Sequence, residues 1–234
     1  HHPTELASAV ATADVVSNGR VRLGIGAGYN HKDFEPFGFG TRPSAGKRLD
    51  RMDEMIQITK MLWSATPVNF KGDYFEFTGG TLMNPKPVQN PGPPIIIGVN
   101  IPGKALDIAV READEINTWQ LGPTAIAALA EEARERCEKA GRSALRVTSD
   151  ALVIRGGNEQ AATDLVEGIK DMARSGGRAV KATNWDHGGV LFGEAAQIIE
   201  QIDGFKKAGV EELSVSLGTV EDVTWFDSEV LSAL

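Results

Sequence analysis

The segment Val21-Arg-Leu-Gly-Ile-Gly-Ala-Gly-Tyr-Asn30 decides how this chain is read. Apolar and β-branched residues run into three glycines at alternate positions, followed by an aromatic and an amide. That pattern describes a buried strand whose C-terminal end is cleared so that something flat can approach the backbone. Spacing excludes a Rossmann dinucleotide loop: after Gly24 and Gly26 its third glycine belongs at position 29, where Tyr29 stands. A P-loop is excluded as well, because Gly46-Lys47-Arg48 and Gly103-Lys104-Ala105 both lack the Ser or Thr that follows its lysine. The glycines therefore mark a strand end facing a ligand in some other fold.

Helical and extended patterns alternate on both sides of this strand. Upstream, a helix over Thr4 to Val16 stops at Asn18-Gly19, a left-handed terminator. Downstream, a loop from Asn30 to Lys47 carries Phe34, Phe37 and Phe39, and Leu49, Met52, Ile56, Thr59 and Trp63 then recur at helical spacing. Residues 66–83 read as a β-hairpin excursion, since Val68 to Phe77 alternates around Gly72-Asp73. Further strands are expected at 94–99, 114–119, 146–154 and 212–217, with helices between them and Asn158 as one N-cap. With 21–27 these make five parallel strands of an α/β fold. A (β/α)8 barrel needs eight strands and about 250 residues. The pattern thus fits either an open sheet or the later part of a barrel, in one domain spanning 1–234 with no linker.

Composition narrows the partners. The 234 residues are 41% hydrophobic and 24% charged, ordinary globular values, and the net charge of -8 argues against nucleic acid or an anionic membrane. The single cysteine, Cys137, lies on the apolar face of a helix and reads as a core thiol; its solitude suits a reducing compartment. No apolar run approaches the roughly 20 residues of a membrane span, and His-His-Pro-Thr-Glu-Leu at the start lacks signal-peptide character. A cytoplasmic protein acting on a small molecule is expected.

The order of pieces resembles the luciferase-like monooxygenase superfamily, especially its branch dependent on the deazaflavin coenzyme F420. The resemblance rests on His2-Pro-Thr-Glu-Leu-Ala7, then Asp14-Val-Val-Ser-Asn-Gly-Arg20 running into Leu23 to Tyr29. It continues through Phe34-Glu-Pro-Phe-Gly38, Arg48-Leu-Asp-Arg-Met-Asp-Glu54, Leu62-Trp63 and Phe70-Lys-Gly-Asp-Tyr-Phe75. Pro85-Lys-Pro-Val-Gln89, Pro93-Pro-Ile-Ile-Ile-Gly98 and Ala113-Asp-Glu-Ile-Asn117 complete it. The family is a TIM barrel, so the resemblance implies that 21–27 is the fourth strand and that the fifth to eighth follow. The first three strands are then missing, and the chain is expected to be a fragment, to be completed by another segment, or to form a homo-oligomer.

The resemblance also implies a flavin or deazaflavin oxidoreductase moving a hydride to or from a small organic substrate, with oxygen as a possible co-substrate. Coenzyme F420 is preferred and FMN is the alternative. Gly98-Val-Asn-Ile-Pro-Gly-Lys104 joins a strand end to a helix start, where free amides and the helix dipole favour a cofactor phosphate. Gly98, Val99, Asn100, Gly103 and Lys104 are the candidates there. Gly26, Ala27 and Gly28 would leave room for the ring, with Tyr29 and Asn30 at the mouth and Trp119 as another wall. No catalytic residue is assigned. His31 and His187 are loop histidines that read first as solvated groups and only then as proton carriers, and Gly188-Gly189 reads as a mobile lip. No spacing suggests a metal. Two other readings stand: a non-catalytic α/β binding protein that keeps the phosphate loop, and a different TIM-barrel enzyme with a phosphorylated substrate.

Overall fold

The computed structural model describes residues 2–64, 66–175 and 187–234, and the side chains of His31 and His187 fall outside the described set. Helix α1 (Pro3–Ser17) begins with a capping box: the His2 side chain accepts from the amide of Thr4, and Glu5 accepts from the amide of His2 at 3.2 Å. It ends where Asn18 turns left-handed at φ 54°. Strand β1 (Leu23–Ile25) follows, shorter than the expected 21–27 because only these three residues pair with a neighbour. Helix α2 (Ala45–Trp63) leads to the hairpin of β2 (Val68–Lys71) and β3 (Glu76–Thr81), which stands apart as its own two-stranded sheet.

The main sheet continues with β4 (Ile95–Gly98), α3 (Lys104–Glu112), β5 (Glu115–Trp119), α4 (Pro123–Lys139) and β6 (Arg146–Arg155). Helix α5 (Glu159–Ser175), β7 (Val190–Gly193), α6 (Ala195–Lys207), β8 (Glu212–Ser216) and α7 (Val220–Trp225) complete it. All five pairings in this sheet are parallel, as expected for strands joined by helices. The strands β1, β4, β5, β6 and β8 stand side by side in chain order. No closure of β8 onto β1 is found among the described residues.

Strand β7 and the short helix α7 were not foreseen. Leu152 is in register with both Val190 and Ser216, which puts β7 and β8 on opposite sides of β6. Strand β7 therefore takes over the edge of β6 that β5 vacates after Trp119. The turn before it is not a loose lip at Gly189: a Cβ there would lie 2.6 Å from the Cα of Gln120, so only glycine fits. The remaining expected helices and strands stand within a few residues of their predicted bounds.

Alternation sorts the strands into two faces. Leu23, Ile95, Ile97, Ile116, Val147 and Ala151 are buried against the helices, in one core with Ile56, Leu106, Ile126 and Ile198. The opposite, concave face carries Gly24, Ile96 and Gly98, then Glu115, Asn117 and Trp119, then Arg146, Thr148, Asp150 and Leu152, and finally Glu212, Ser214 and Ser216. At the N-terminal end of this face, Arg22 bonds Glu115 at 3.0 Å and Glu212 at 2.6 Å, while Arg146 reaches the same two carboxylates at 3.3 and 3.0 Å. An arginine ahead of the first strand thus touches a glutamate of the last. The sheet is an arc curled tightly enough for its two edges to meet through side chains.

Candidate functional site

The C-terminal ends of the strands are where α/β folds of this type bind ligands. Two neighbouring strands are bare there. A Cβ built on Gly24, Gly26 or Gly98 would meet no atom within 4 Å. Gly24 is in register with Ile96, and Gly26 and Gly98 are the next positions on the same face. The result is an open strip of backbone across β1 and β4, with no side chain standing on it at these three positions.

Behind Gly98 the chain turns into α3. Its N-cap is Gly103, at φ 156°, and no side chain caps the first turn. A Cβ on Gly103 would also meet nothing within 4 Å. The unmet amides of this turn and the positive end of the helix dipole face open space beside the glycine strip.

The other candidates divide. Val99 is buried, and its amide bonds the carbonyl of Asn117 at 2.9 Å. Asn100 spends both ends of its side-chain amide on Trp119: Nδ2 donates to the carbonyl at 2.6 Å, and Oδ1 accepts from the amide at 3.0 Å. It therefore clamps the end of β5 to the loop between β4 and α3. Lys104 pairs with Asp50 of α2, so its charge is already neutralised. Ala27, beyond the end of β1, is partly buried against the main core.

At the mouth, Gly28 has φ +68°, a left-handed conformation that glycine adopts freely. Its carbonyl accepts from Nε of Arg48 at 2.7 Å, and the Tyr29 carbonyl accepts from Arg42. Asn30 is occupied with its own loop, donating to Asp33 at 3.1 Å and accepting from the amide of Lys32 at 3.1 Å. Trp119 is half-buried on the concave face, where it packs with Leu152, Ile154 and Phe192 on the cluster that α5 covers. That packing sets it on the side of the arc opposite β1.

Three polar residues of this face escaped the sequence reading. Asp150 stands beside Trp119 on one side and Ser214 on the other, and Asn117 stands beside Gly98. Burial pushes the Asp150 carboxyl above the usual aspartate value, against hydrogen bonds from Ser214 and Asn117 that pull it down. The signal was present: in Arg146-Val-Thr-Ser-Asp150 the alternate residues are polar, and a carboxylate recurs on the face of Arg146. Cys137 is buried, as expected of a core thiol. No group of His, Cys, Asp and Glu able to hold a metal occurs among the described residues.

The comparisons with known proteins bear on the family and the fold. The family model described as luciferase-like monooxygenase matches residues 1–212. The chain belongs to this family. Among curated relatives, the F420-dependent glucose-6-phosphate dehydrogenase of Amycolatopsis mediterranei is 36% identical over 84 residues, covering 36% of this chain and 25% of the relative. The oxygenase component of the flavin-dependent trigonelline monooxygenase of Acinetobacter baylyi is 32% identical over 141 residues, covering 59% of this chain and 38% of that protein. The matches thus span well under half of the relatives' own length. A solved F420-dependent secondary alcohol dehydrogenase, in complex with an F420-acetone adduct, superposes with a TM-score of 0.78 at 22% identity. It covers 100% of this chain and 76% of its own, and at that identity it speaks for the fold. Relatives in this family thus include both deazaflavin- and flavin-dependent oxidoreductases. No helix among the described residues is long and apolar enough to cross a membrane.

Proposed function

We propose that this chain forms the cofactor-bearing part of a cytoplasmic oxidoreductase that moves a hydride between coenzyme F420, or alternatively FMN, and a small organic substrate. The observation that carries the reading is the bare strip of Gly24, Gly26 and Gly98 leading into the uncapped start of α3. A flat ring needs backbone without side chains, and the phosphate attached to it needs free amides. The two features adjoin here. The names of the F420-dependent and flavin-dependent relatives support the same reading.

In this arrangement the amides that follow Gly103 hold the phosphate, Gly26 and Gly98 underlie the ring, and Trp119 shields the far side from water. The cofactor, when bound, supplies the hydride chemistry; the chain supplies orientation and exclusion of solvent. Asn100 keeps the phosphate loop and the Trp119 wall in fixed relation, so the two ends of the ligand are placed together.

Completion of the arc belongs to the same proposal. Strands β1 and β8 each have one unpaired edge among the described residues. Three further β/α units, supplied by the same polypeptide or a partner, would close the barrel and cover these edges. Titration with FMN and with F420, followed by fluorescence, tests the reading. Saturable binding of one cofactor that is lost in Gly98→Trp supports it. Binding of neither cofactor by a barrel-completed protein would refute it and return the chain to the class of non-catalytic binding proteins.

A further inference from the structure

The concave face is chemically lopsided. Its β1 and β4 side is bare backbone, whereas its β5, β6 and β8 side carries Asn117, Asp150, Ser214 and Ser216. A flat cofactor resting on the glycines would leave its other face toward this polar side. We propose that Asp150, with Ser214 and Asn117, forms the substrate-recognising wall, and that it takes a neutral, hydroxyl-bearing substrate while rejecting anionic ones. This inference rests on the oxidoreductase reading for the position of the cofactor, but not for the chemistry of the wall itself.

Three observations carry it. First, a carboxylate offers about four lone-pair sites; Ser214 is Asp150's partner in the ladder, and the Asn117 amide already donates to Thr148 Oγ1 at 3.1 Å. Asp150 is partly exposed, and its register places it on the concave face. Second, Asp150 has no ion-pair partner among the described residues. The cations of the same face are Arg146 and the incoming Arg22, and both are spent on Glu115, Glu211 and Glu212 at the opposite end of the strands. Lys170 of α5, the helix over Trp119, pairs with Glu167. An uncompensated carboxylate in a partly dehydrated pocket repels a phosphate or carboxylate and welcomes a hydrogen-bond donor. Third, Asp150 is in register with Trp119, so an apolar wall adjoins the polar group and a substrate with one hydroxyl end and one carbon end fits both.

The test labels aspartate carboxyl groups with carbon-13 and assigns the Asp150 resonance by its loss in Asp150→Asn. The probes are glycerol and glycerol 3-phosphate, added to the chain both before and after titration with FMN or F420. Glycerol is expected to move the resonance saturably, with affinity at least tenfold higher than for glycerol 3-phosphate. Asp150→Asn should weaken glycerol binding by about tenfold or more, since a hydrogen bond to a charged acceptor is lost, and Ser214→Ala should weaken it less. If Asp150→Asn fails to fold by circular dichroism, the Ser214→Ala comparison and the parent resonance carry the decision. A resonance that glycerol leaves unmoved, or that both probes move equally, overturns the proposal. A glycerol response without any cofactor binding sinks the oxidoreductase reading alone, and cofactor binding without a glycerol response sinks the wall alone.

Discussion

The amides of Asp73, Tyr74 and Phe75 converge on the carboxylate of Glu54, at 2.7, 3.0 and 3.1 Å. One glutamate of α2 thus anchors the whole hairpin, and the turn accepts it only because Gly72 has no Cβ, which would sit 2.4 Å from the Glu54 carboxyl. Glu54→Ala should cost about 1.5–3 kcal/mol, read from urea midpoints. In a double-mutant cycle, Gly72→Ala should then cost far less in the Glu54→Ala background than in the parent. Asp14 plays a comparable part beneath residues 88 and 89. Its carboxylate is fully buried and accepts from the amides of Val88 and Gln89 and from Nε2 of Gln89, at 2.9, 3.0 and 2.7 Å. Burial alone would raise its carboxyl, but these bonds outweigh burial and hold it below the usual aspartate value. Its contribution is therefore fully present above the unfolded value of about 3.9 and is lost as pH falls through the lower folded value. Urea midpoints should fall more steeply toward acid in the parent than in Asp14→Asn; equal slopes would remove Asp14 from the account. If the proposed function holds, Gly103→Asp should weaken cofactor binding much more than Lys104→Ala, because the lysine is paired with Asp50 whereas no side chain caps the first turn of α3. Equal effects in the two variants would place the phosphate elsewhere.

At the level of elements, the charged network of Arg22, Glu115, Arg146 and Glu212 works as a clasp between the first and last strands of the arc. Glu115 is almost fully buried between two arginines, and Glu212 is held below the usual glutamate value chiefly by its bond to Arg22. Glu115→Gln removes the buried charge and leaves Glu212 as the one carboxylate shared by both arginines. A loss of about 1.5–3 kcal/mol is expected, below the roughly 3–5 kcal/mol of a fully buried pair because both arginines are about one-third exposed. Thermal unfolding would show it, and a change under 0.5 kcal/mol, the scale of an ordinary surface substitution, would mean the clasp is ornamental. None of this was legible in the sequence, since the partners lie up to 190 positions apart. What could be read was local: the glycine strip, the helix caps and the apolar strands that alternate with helices. Strand β7 escaped because Val190-Leu-Phe-Gly193 is too short to show a period. Asp150 shows in the sequence as one of the alternate polar residues of its strand, but its neighbours Trp119 and Ser214 emerge only from the register with β5 and β8.

For the whole molecule, the concave face and the two unpaired strand edges set the solution behaviour. Partly exposed Ile96 stands on the open arc, and Trp119 and Leu152 are only partly covered by the cluster under α5. Alone, the chain should bind ANS and associate as its concentration rises. A sedimentation experiment giving a stable, ANS-silent monomer would count against an arc that needs completion. Folding of this arc has a natural centre. Strand β6 is the one strand in the described sheet flanked by β5 and then β7 along one side and by β8 along the other. Neither β7 nor β8 finds a ladder until β6 is in place, so the last third of the chain has no sheet partner before then. The amides of Val147 to Leu152 should consequently be the slowest in the molecule to exchange with deuterium, released only when the entire sheet opens. Those of β1, tied to β4 alone, should exchange through local fraying at a far lower energy. An exchange map of these two strands would thus separate the nucleus of the sheet from its rim.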